Sequence, residues 1–261
     1  MSVNVCVGQT NYYLAQGRGI RRIIALFNNI EDLVTENDRR YDEDAATFDQ
    51  DHLQTAYDIL TRTLPWIVMW SSEIEHNEYI RMIKMLRQGA DGARGDDTSK
   101  LKALVADWVN RELKPNPLVD PDDKHTRGFI NDTCGKLLCT AELDWNNPAT
   151  KAGIRDRSQG YIVAFKAVFT SPSSAKDVEG EGDGTDIIEN NRRARRAGWG
   201  LKVKKHVAQI IKMEKVTPRS IAYIACQVRF ALSSITLWRT VDGDFDYILF
   251  WRSAASGQQT P

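Results

Sequence analysis

A chain of 261 residues suffices for one large domain or two modest ones, with ample length to bury a core. Hydrophobic residues at 42% and charged residues at 27% exclude a chain disordered by composition. The formal charge is zero but unevenly spread: residues 190–261 hold 13 Lys and Arg against four Asp and Glu, and residues 1–189 hold 22 against 31. Such a division marks either a basic face for an anionic partner or an attraction between the two halves within the fold.

Residues 1–19 are small, polar and spotted with glycine, and read as a loose lead-in. From Ile20, the apolar positions Ile23, Ile24, Phe27, Ile30, Leu33 and Val34 recur at three and four, the period of one amphipathic helix. Asn37–Asp51 is acidic and reads as a linker, after which Leu53, Ala56, Tyr57, Leu60 and Leu64 predict a second helix ended by Pro65. Trp66–Trp70 is apolar, and Ser72 with Glu75 has the spacing of a capping box that starts a further helix. That helix should stop at a glycine-rich turn over Gly89–Gly95. Thr98 then caps a new helix with Leu101, Leu104, Val105, Trp108 and Val109 on its buried face, closed by Lys114-Pro-Asn-Pro.

Residues 114–150 hold four prolines and read as an irregular crossing segment. Tyr161–Phe169 is apolar and favours helix over strand, and Ser171–Gly184 reads as an acidic mobile loop. A basic helix over roughly Ile187–Met213 leads to Thr217-Pro218, where Thr at the N-cap and Pro at the first helical position start a helix reaching about Ile235. That helix is apolar nearly all round, with Ile221, Ile224, Val228, Leu232 and Ile235 on one side and Tyr223 and Phe230 on others, as expected of the central helix of a bundle. No segment alternates with period two, so the expected fold is all-α. It is a single helical-bundle domain over 20–247 with long irregular connections, an acidic loop at about 171–189 and an irregular tail at 248–261.

Four stretches carry a family resemblance: Gly89-Ala-Asp-Gly-Ala-Arg-Gly-Asp-Asp-Thr-Ser-Lys-Leu-Lys, Arg127-Gly-Phe, Phe169-Thr-Ser-Pro-Ser-Ser-Ala, and the run from Val216-Thr-Pro-Arg to Phe230-Ala-Leu-Ser-Ser. Together, over roughly residues 50–247, the chain resembles a group of uncharacterised proteins abundant in mushroom-forming fungi, a domain of unknown function. The resemblance implies no activity and assigns no functional residue. Relatives are longer between Gln159 and Gly160, and they continue after Tyr247 with another helical stretch, which the small and polar residues of 248–261 do not suggest.

Arg192, Arg193, Arg195 and Arg196, then Lys202, Lys204 and Lys205, followed by Lys212, Lys215 and Arg219, set ten positive charges against Glu214 alone. A run of this kind attracts phosphate backbones, serves as a nuclear import signal, or forms a solvated face that neutralises the preceding acidic loop. Trp199 within it is placed to stack on a base or to anchor packing.

Glu73-x-x-His76 and Asp49-x-x-His52 have the spacing used by carboxylate-bridged metal bundles, but the further inward carboxylates are missing. His125, Cys134 and Cys139 lack a fourth ligand and paired spacing. Asp242-Gly-Asp244-Phe-Asp246 starts like a calcium loop but has Tyr247 and Ser253 where that loop needs Gly and Glu, so a turn is the better reading. Gly180-Glu-Gly-Asp-Gly is no phosphate cradle, because its own acids repel the anion. Cys226 sits mid-helix among apolar residues, where a thiol is inert.

Four scattered cysteines form no disulfide framework, no apolar run reaches about 18 residues, and Met1–Thr10 lacks the features of a signal peptide. The expectation is an intracellular protein, nuclear in one reading, with no cofactor and no metal site. It would act as a non-enzymatic domain binding a protein or nucleic-acid partner. The alternatives are a metal-dependent helical enzyme using carboxylates with His52 and His76, or a truncated, non-functional family member.

Overall fold

The computed structural model describes residues 2–42, 46–71, 73–138, 160–170, 207–211, 213–243 and 245–256. Among these the fold is all-α, as the periodicities predict, with only a two-residue hairpin of sheet. The helices are α1 (Ser2–Ile23), α2 (Ile30–Arg39), α3 (Phe48–Thr63), α4 (Trp66–Ser71), α5 (His76–Glu112), α6 (Asp132–Leu138), α7 (160–169), α8 (Val207–Ile210), α9 (Pro218–Leu232) and α10 (Tyr247–Ser256). A single 3₁₀ turn, Gly128–Ile130, precedes α6.

The residues expected to form a loose lead-in belong to α1, which ends at Ile23 where a helix was expected to continue. The apolar stripe from Ile20 to Val34 is therefore shared by two helices, broken at Asn28 and Asn29. Asn29 is extended and caps α2, whose Asp32 carboxylate accepts the Asn29 backbone N–H at 2.8 Å. The linker expected over Asn37–Asp51 is shorter than predicted, because α2 runs to Arg39 and α3 begins at Phe48. Thr47 and Gln50 close a capping box there, with Thr47 N–H donating to Gln50 Oε1 at 2.8 Å.

Gly89–Gly95 is not a turn. The 37-residue α5 runs straight through it, and Thr98, expected as a cap, lies in mid-helix. The glycines serve the crossing of α1 and α5 instead. A methyl group built on Gly17 would stand 2.0 Å from the Leu86 carbonyl oxygen, and one on Gly89 would stand 2.2 Å from that of Leu14. The two backbones meet where neither chain has a Cβ, a use of glycine that local sequence cannot distinguish from a helix stop. The start of α5 is also later than predicted. Glu75 takes the N-cap position, and Ser72 lies outside the described residues.

Because α5 is long, it lines two cores. Its first half packs Met82, Ile83 and Leu86 against Tyr13, Ile20 and Ile24 of α1 and its flank, Ile30 and Leu33 of α2, and Ala56 and Leu60 of α3. Its second half packs Leu101, Val105, Trp108 and Val109 against Val163, Ala164 and Phe169 of α7, and against α9 and α10. Each Leu, Val, Ile or Phe so buried contributes about 1.5–3 kcal/mol.

The central helix is α9, capped by Thr217, whose hydroxyl accepts the Ser220 backbone N–H at 3.1 Å. Tyr223, Ile224, Cys226, Val228, Phe230 and Leu232 are all buried, so it is covered on nearly every side. Ile221 is the departure, facing solvent at 51%, and Ile235 falls beyond the end of the helix. The Asp242–Asp246 run forms the predicted turn, a hairpin with Val241 opposite Asp246 and Gly243 at φ +58°. The irregular tail expected after Tyr247 is instead α10 to Ser256, which seats Trp251 at 1% exposure in the core.

Candidate functional site

The polar chemistry of the described residues is concentrated inside the bundle. Arg22 on α1 and Asp97 on α5 form a bidentate pair, Nε to Oδ2 and Nη2 to Oδ1 both at 2.7 Å, with side-chain exposures of 3% and 1%. Tyr223 of α9 donates its hydroxyl to the same carboxylate at 2.8 Å. One turn along α9, Gln227 places Oε1 2.9 Å from the Thr98 hydroxyl. Burial lowers the basicity of Arg22, but the hydrogen bonds and charge of Asp97 outweigh it and the net shift is upward. Tyr223 is pushed well above the ordinary phenol range, first by burial and then by the carboxylate beside it. A tyrosine held protonated against a carboxylate already neutralised by arginine is neither a base nor a nucleophile. Its hydrogen bonds pin the three helices together.

The remaining buried cations are spent on helix ends. Arg21 donates to the carbonyls of Leu26 (2.7 Å), Asn28 (3.2 Å) and Ala25 (3.3 Å) just past α1, and pairs with Asp91 at 2.8 Å. Arg219 reaches the Ile24 carbonyl from α9. At the far end of α9, Arg127 donates to Ala231 (2.7 Å), Pro121 (2.7 Å) and Asp120 (2.8 Å). Lys124 donates to Phe230 at 2.7 Å and to Ile235, with its ammonium 3.5 Å from the Phe230 ring centroid. Carbonyls at helix C-termini carry partial negative charge, so the bonds to Phe230 and Ala231 satisfy orphan acceptors and the dipole together, while those to Asp120, Pro121 and Ile235 tie connecting segments to the end of α9. Burial, then the charges of Arg127 and Lys102, bring Lys124 down to about 8.

The predicted motifs separate in space. Glu73 and His76 are exposed at the start of α5, whereas His52 is buried on α3 and Asp49 pairs with Arg252 at 2.5 Å. Burial, then the charges of Arg219 and Arg252, lower His52 to about 4. His125 is exposed, Cys134 is buried at 0%, and Cys139 lies outside the described residues. Cys226 is buried, and that burial pushes its thiol far above the ordinary range. Among the described residues no group of three or more His, Cys, Asp or Glu could hold a metal ion. Nor is any helix among them long and apolar enough to cross a membrane.

The cavities lined by described residues include the following three. One of about 70 Å³ lies between Trp108, Leu137, Tyr161, Val228, Leu232 and Phe250 and is apolar. A cleft of about 380 Å³ between α1 and the start of α5 is lined by Gln9, Tyr13, Glu73, Glu78, Arg81 and Met82 among others. The third, about 430 Å³, is a groove along the second half of α5. None brings a nucleophile to a base.

The basic run Arg192, Arg193, Arg195, Arg196, Lys202, Lys204 and Lys205, together with Trp199, the acidic loop and Lys212, lies outside the described residues. Of the positive positions that follow it, Lys215 is exposed and Arg219 is buried on α9, so Arg219 does not extend a basic surface. The residues that sequence reading gave no role are the buried cations Arg21, Arg22, Lys124 and Arg127, while Arg219 was assigned to the basic run instead of to the core. Their only signal was a charged residue within or beside an apolar helical stripe.

The profile of one protein family, described as a family of unknown function (DUF6698), matches residues 88–163 and 156–256, well over half of the chain. The match comes as two stretches that overlap at 156–163. No curated protein matches the chain, and no solved structure does.

Proposed function

Since the chain belongs to DUF6698, a family of unknown function, its activity rests on its own residues, and we propose that it is a non-enzymatic interaction domain for an anionic partner. The observation that carries this reading is the unequal use of its cations. The buried arginines and Lys124 are committed to helix ends and to Asp97, while residues 192–215 add nine Lys and Arg with Glu214 as the single acid. A charge density of this kind serves a polyanion, and nucleic acid is the partner whose phosphates it matches best. Arg192, Arg193, Arg195, Arg196, Lys202, Lys204 and Lys205 are the residues assigned to contact it. The same composition serves nuclear import, so the proposal includes an intracellular protein that enters the nucleus, with relatives in mushroom-forming fungi.

Fluorescence anisotropy of labelled duplex DNA and single-stranded RNA, titrated with the full chain at several salt concentrations, tests the proposal. Affinity should fall steeply with salt, by a slope of about 0.9 per phosphate contact on duplex DNA. Replacing Arg192, Arg193, Arg195 and Arg196 with Gln should flatten that slope. Absence of binding at low salt removes the nucleic-acid reading, and binding to an acidic polypeptide under the same conditions transfers the assignment to a protein partner.

A further inference from the structure

The segment that caps the end of α9 also carries an exposed apolar tip. Arg127 and Lys124 tie it to the carbonyls of Asp120, Pro121, Phe230 and Ala231. Asn131 closes it by accepting the backbone N–H groups of Thr133 and Cys134 at 3.1 Å each, at the start of α6. Within this frame Gly128 takes φ +69°, where a Cβ would meet Ser234 at 3.1 Å, so the turn is fixed. At its tip Phe129 and Ile130 face solvent at 70% and 77%, and nearby Leu118 is 65% exposed. Large apolar side chains held outward on a pinned loop are the anatomy of an interface, not of a solvated turn.

A groove of about 430 Å³ lies alongside, with Leu104, Trp108, Leu118 and Val163 in its walls and Asp107 and Arg111 on its rim. Leu118 belongs to both features. The Asn131 side chain donates to the Pro117 carbonyl at 3.4 Å, which ties the tip to the strand of chain that lines the groove.

We propose that this surface pairs with a second copy of the chain about a two-fold axis, Phe129 and Ile130 of each protomer entering the Leu104–Trp108–Val163 groove of the other. A two-fold interface needs a patch that complements itself, and a tip adjoining a groove supplies both halves. The charges agree with this arrangement. Asp107 and Arg111 stand one helical turn apart on α5, and Asp132 and Lys136 stand one turn apart on α6 behind the tip, all four exposed. Antiparallel approach sets Asp132 against Arg111 and Lys136 against Asp107, opposite in sign at both points. Arg111 already lies 2.7 Å from Glu112 of its own chain, but that exposed pair is weak and exchanges readily. The contact is separate from the basic run and stands or falls independently of it.

Sedimentation equilibrium of the full chain from about 1 μM to about 1 mM reads the association. The expected result is a rise to twice the chain mass. Phe129→Asp and Ile130→Asp, both at exposed positions, should hold the chain monomeric with an unchanged far-UV spectrum. Asp107→Lys and Lys136→Asp each alter two pairs related by the two-fold axis and should weaken the dimer by about 4- to 25-fold, and the double exchange should restore it, a rescue that a merely structural role would not produce. A monomer across the range, a dimer that Phe129→Asp leaves intact, or a double exchange weaker than either single one overturns the proposal.

Discussion

Alanine at three glycines should have effects of opposite sign on stability, although all three glycines lie in helices. Gly95 is in α5 with nothing within 4 Å of the position a Cβ would take. Alanine there removes the backbone entropy that glycine loses in a helix, so Gly95→Ala should stabilise the chain by about 0.5–1 kcal/mol. Gly89 lies six residues earlier in the same helix, but its Cβ would stand 2.2 Å from the Leu14 carbonyl oxygen and 2.9 Å from the carbonyl carbon. Backbone cannot yield as a flexible side chain can, so α1 and α5 must separate. Overpacking of this kind costs about 1–3 kcal/mol, exceeding the gain in helix propensity. Gly17→Ala, at 2.0 Å from the Leu86 carbonyl oxygen, should behave like Gly89→Ala. Urea unfolding followed by far-UV circular dichroism measures all three against the parent chain. Equal stabilisation by Gly89→Ala and Gly95→Ala would refute the close crossing of α1 and α5. Destabilisation by Gly95→Ala would restore the glycine-rich turn that the sequence suggests.

Asp97→Asn keeps the shape but removes the charge that neutralises buried Arg22, and should cost about 3–5 kcal/mol in the same unfolding assay. Replacing both partners, Arg22→Met with Asp97→Leu, should cost markedly less, and equal losses would show that the pair is not the coupled unit. His52 is neutral in the fold down to about 4, whereas its unfolded value is 6.5. As pH falls from 6.5 to about 4 the unfolded chain takes up a proton that the folded chain refuses, so stability falls through that window, by at most about 3 kcal/mol. The stability difference between the parent and His52→Phe should therefore change across this window and stay flat above it; a constant difference refutes the assignment. Glu36 acts lower. Hydrogen bonds from Arg39, offset by burial but reinforced by Arg40, hold it at about 2, so its contribution is lost as pH falls from 4.5 towards that value, which Glu36→Gln would abolish. Arg127→Ala should cost at least about 2 kcal/mol, because the carbonyls of Asp120, Pro121 and Ala231 lose a charged donor.

How far the sequence could be read follows from which interactions are local. Thr217-Pro218 and Pro65 act on their own backbone, so one start and one stop were legible to the residue. The buried face Leu101–Val109 was legible too, because helical periodicity is a local pattern. Gly17 and Gly89 were misleading because each answers to a residue more than 60 positions away. The terminal α10 was obscured by its second half: Ile248–Trp251 is apolar, but Ser253-Ala-Ala-Ser256 resembles a tail, and only Tyr247, Trp251 and Ala255 reach the buried set.

The same distinction explains why charge was the least legible property. Arg21, Arg22, Arg127 and Arg219 contribute to the formal count as Arg192–Arg196 do, yet the first four are consumed by carbonyls and by Asp97 inside the fold. A buried arginine facing the negative end of a helix leaves no field at the surface, so it adds nothing to the attraction of a polyanion. Discounting it sharpens the division of charge along the chain. Arg219 drops out of the basic run, which then ends at Lys215, three residues before α9. On the proposed reading the salt dependence of binding comes from residues 192–215, so Arg219→Met should change stability without changing the salt slope. A change in that slope would mean that Arg219 reaches the partner and that the buried-cation reading of α9 is wrong.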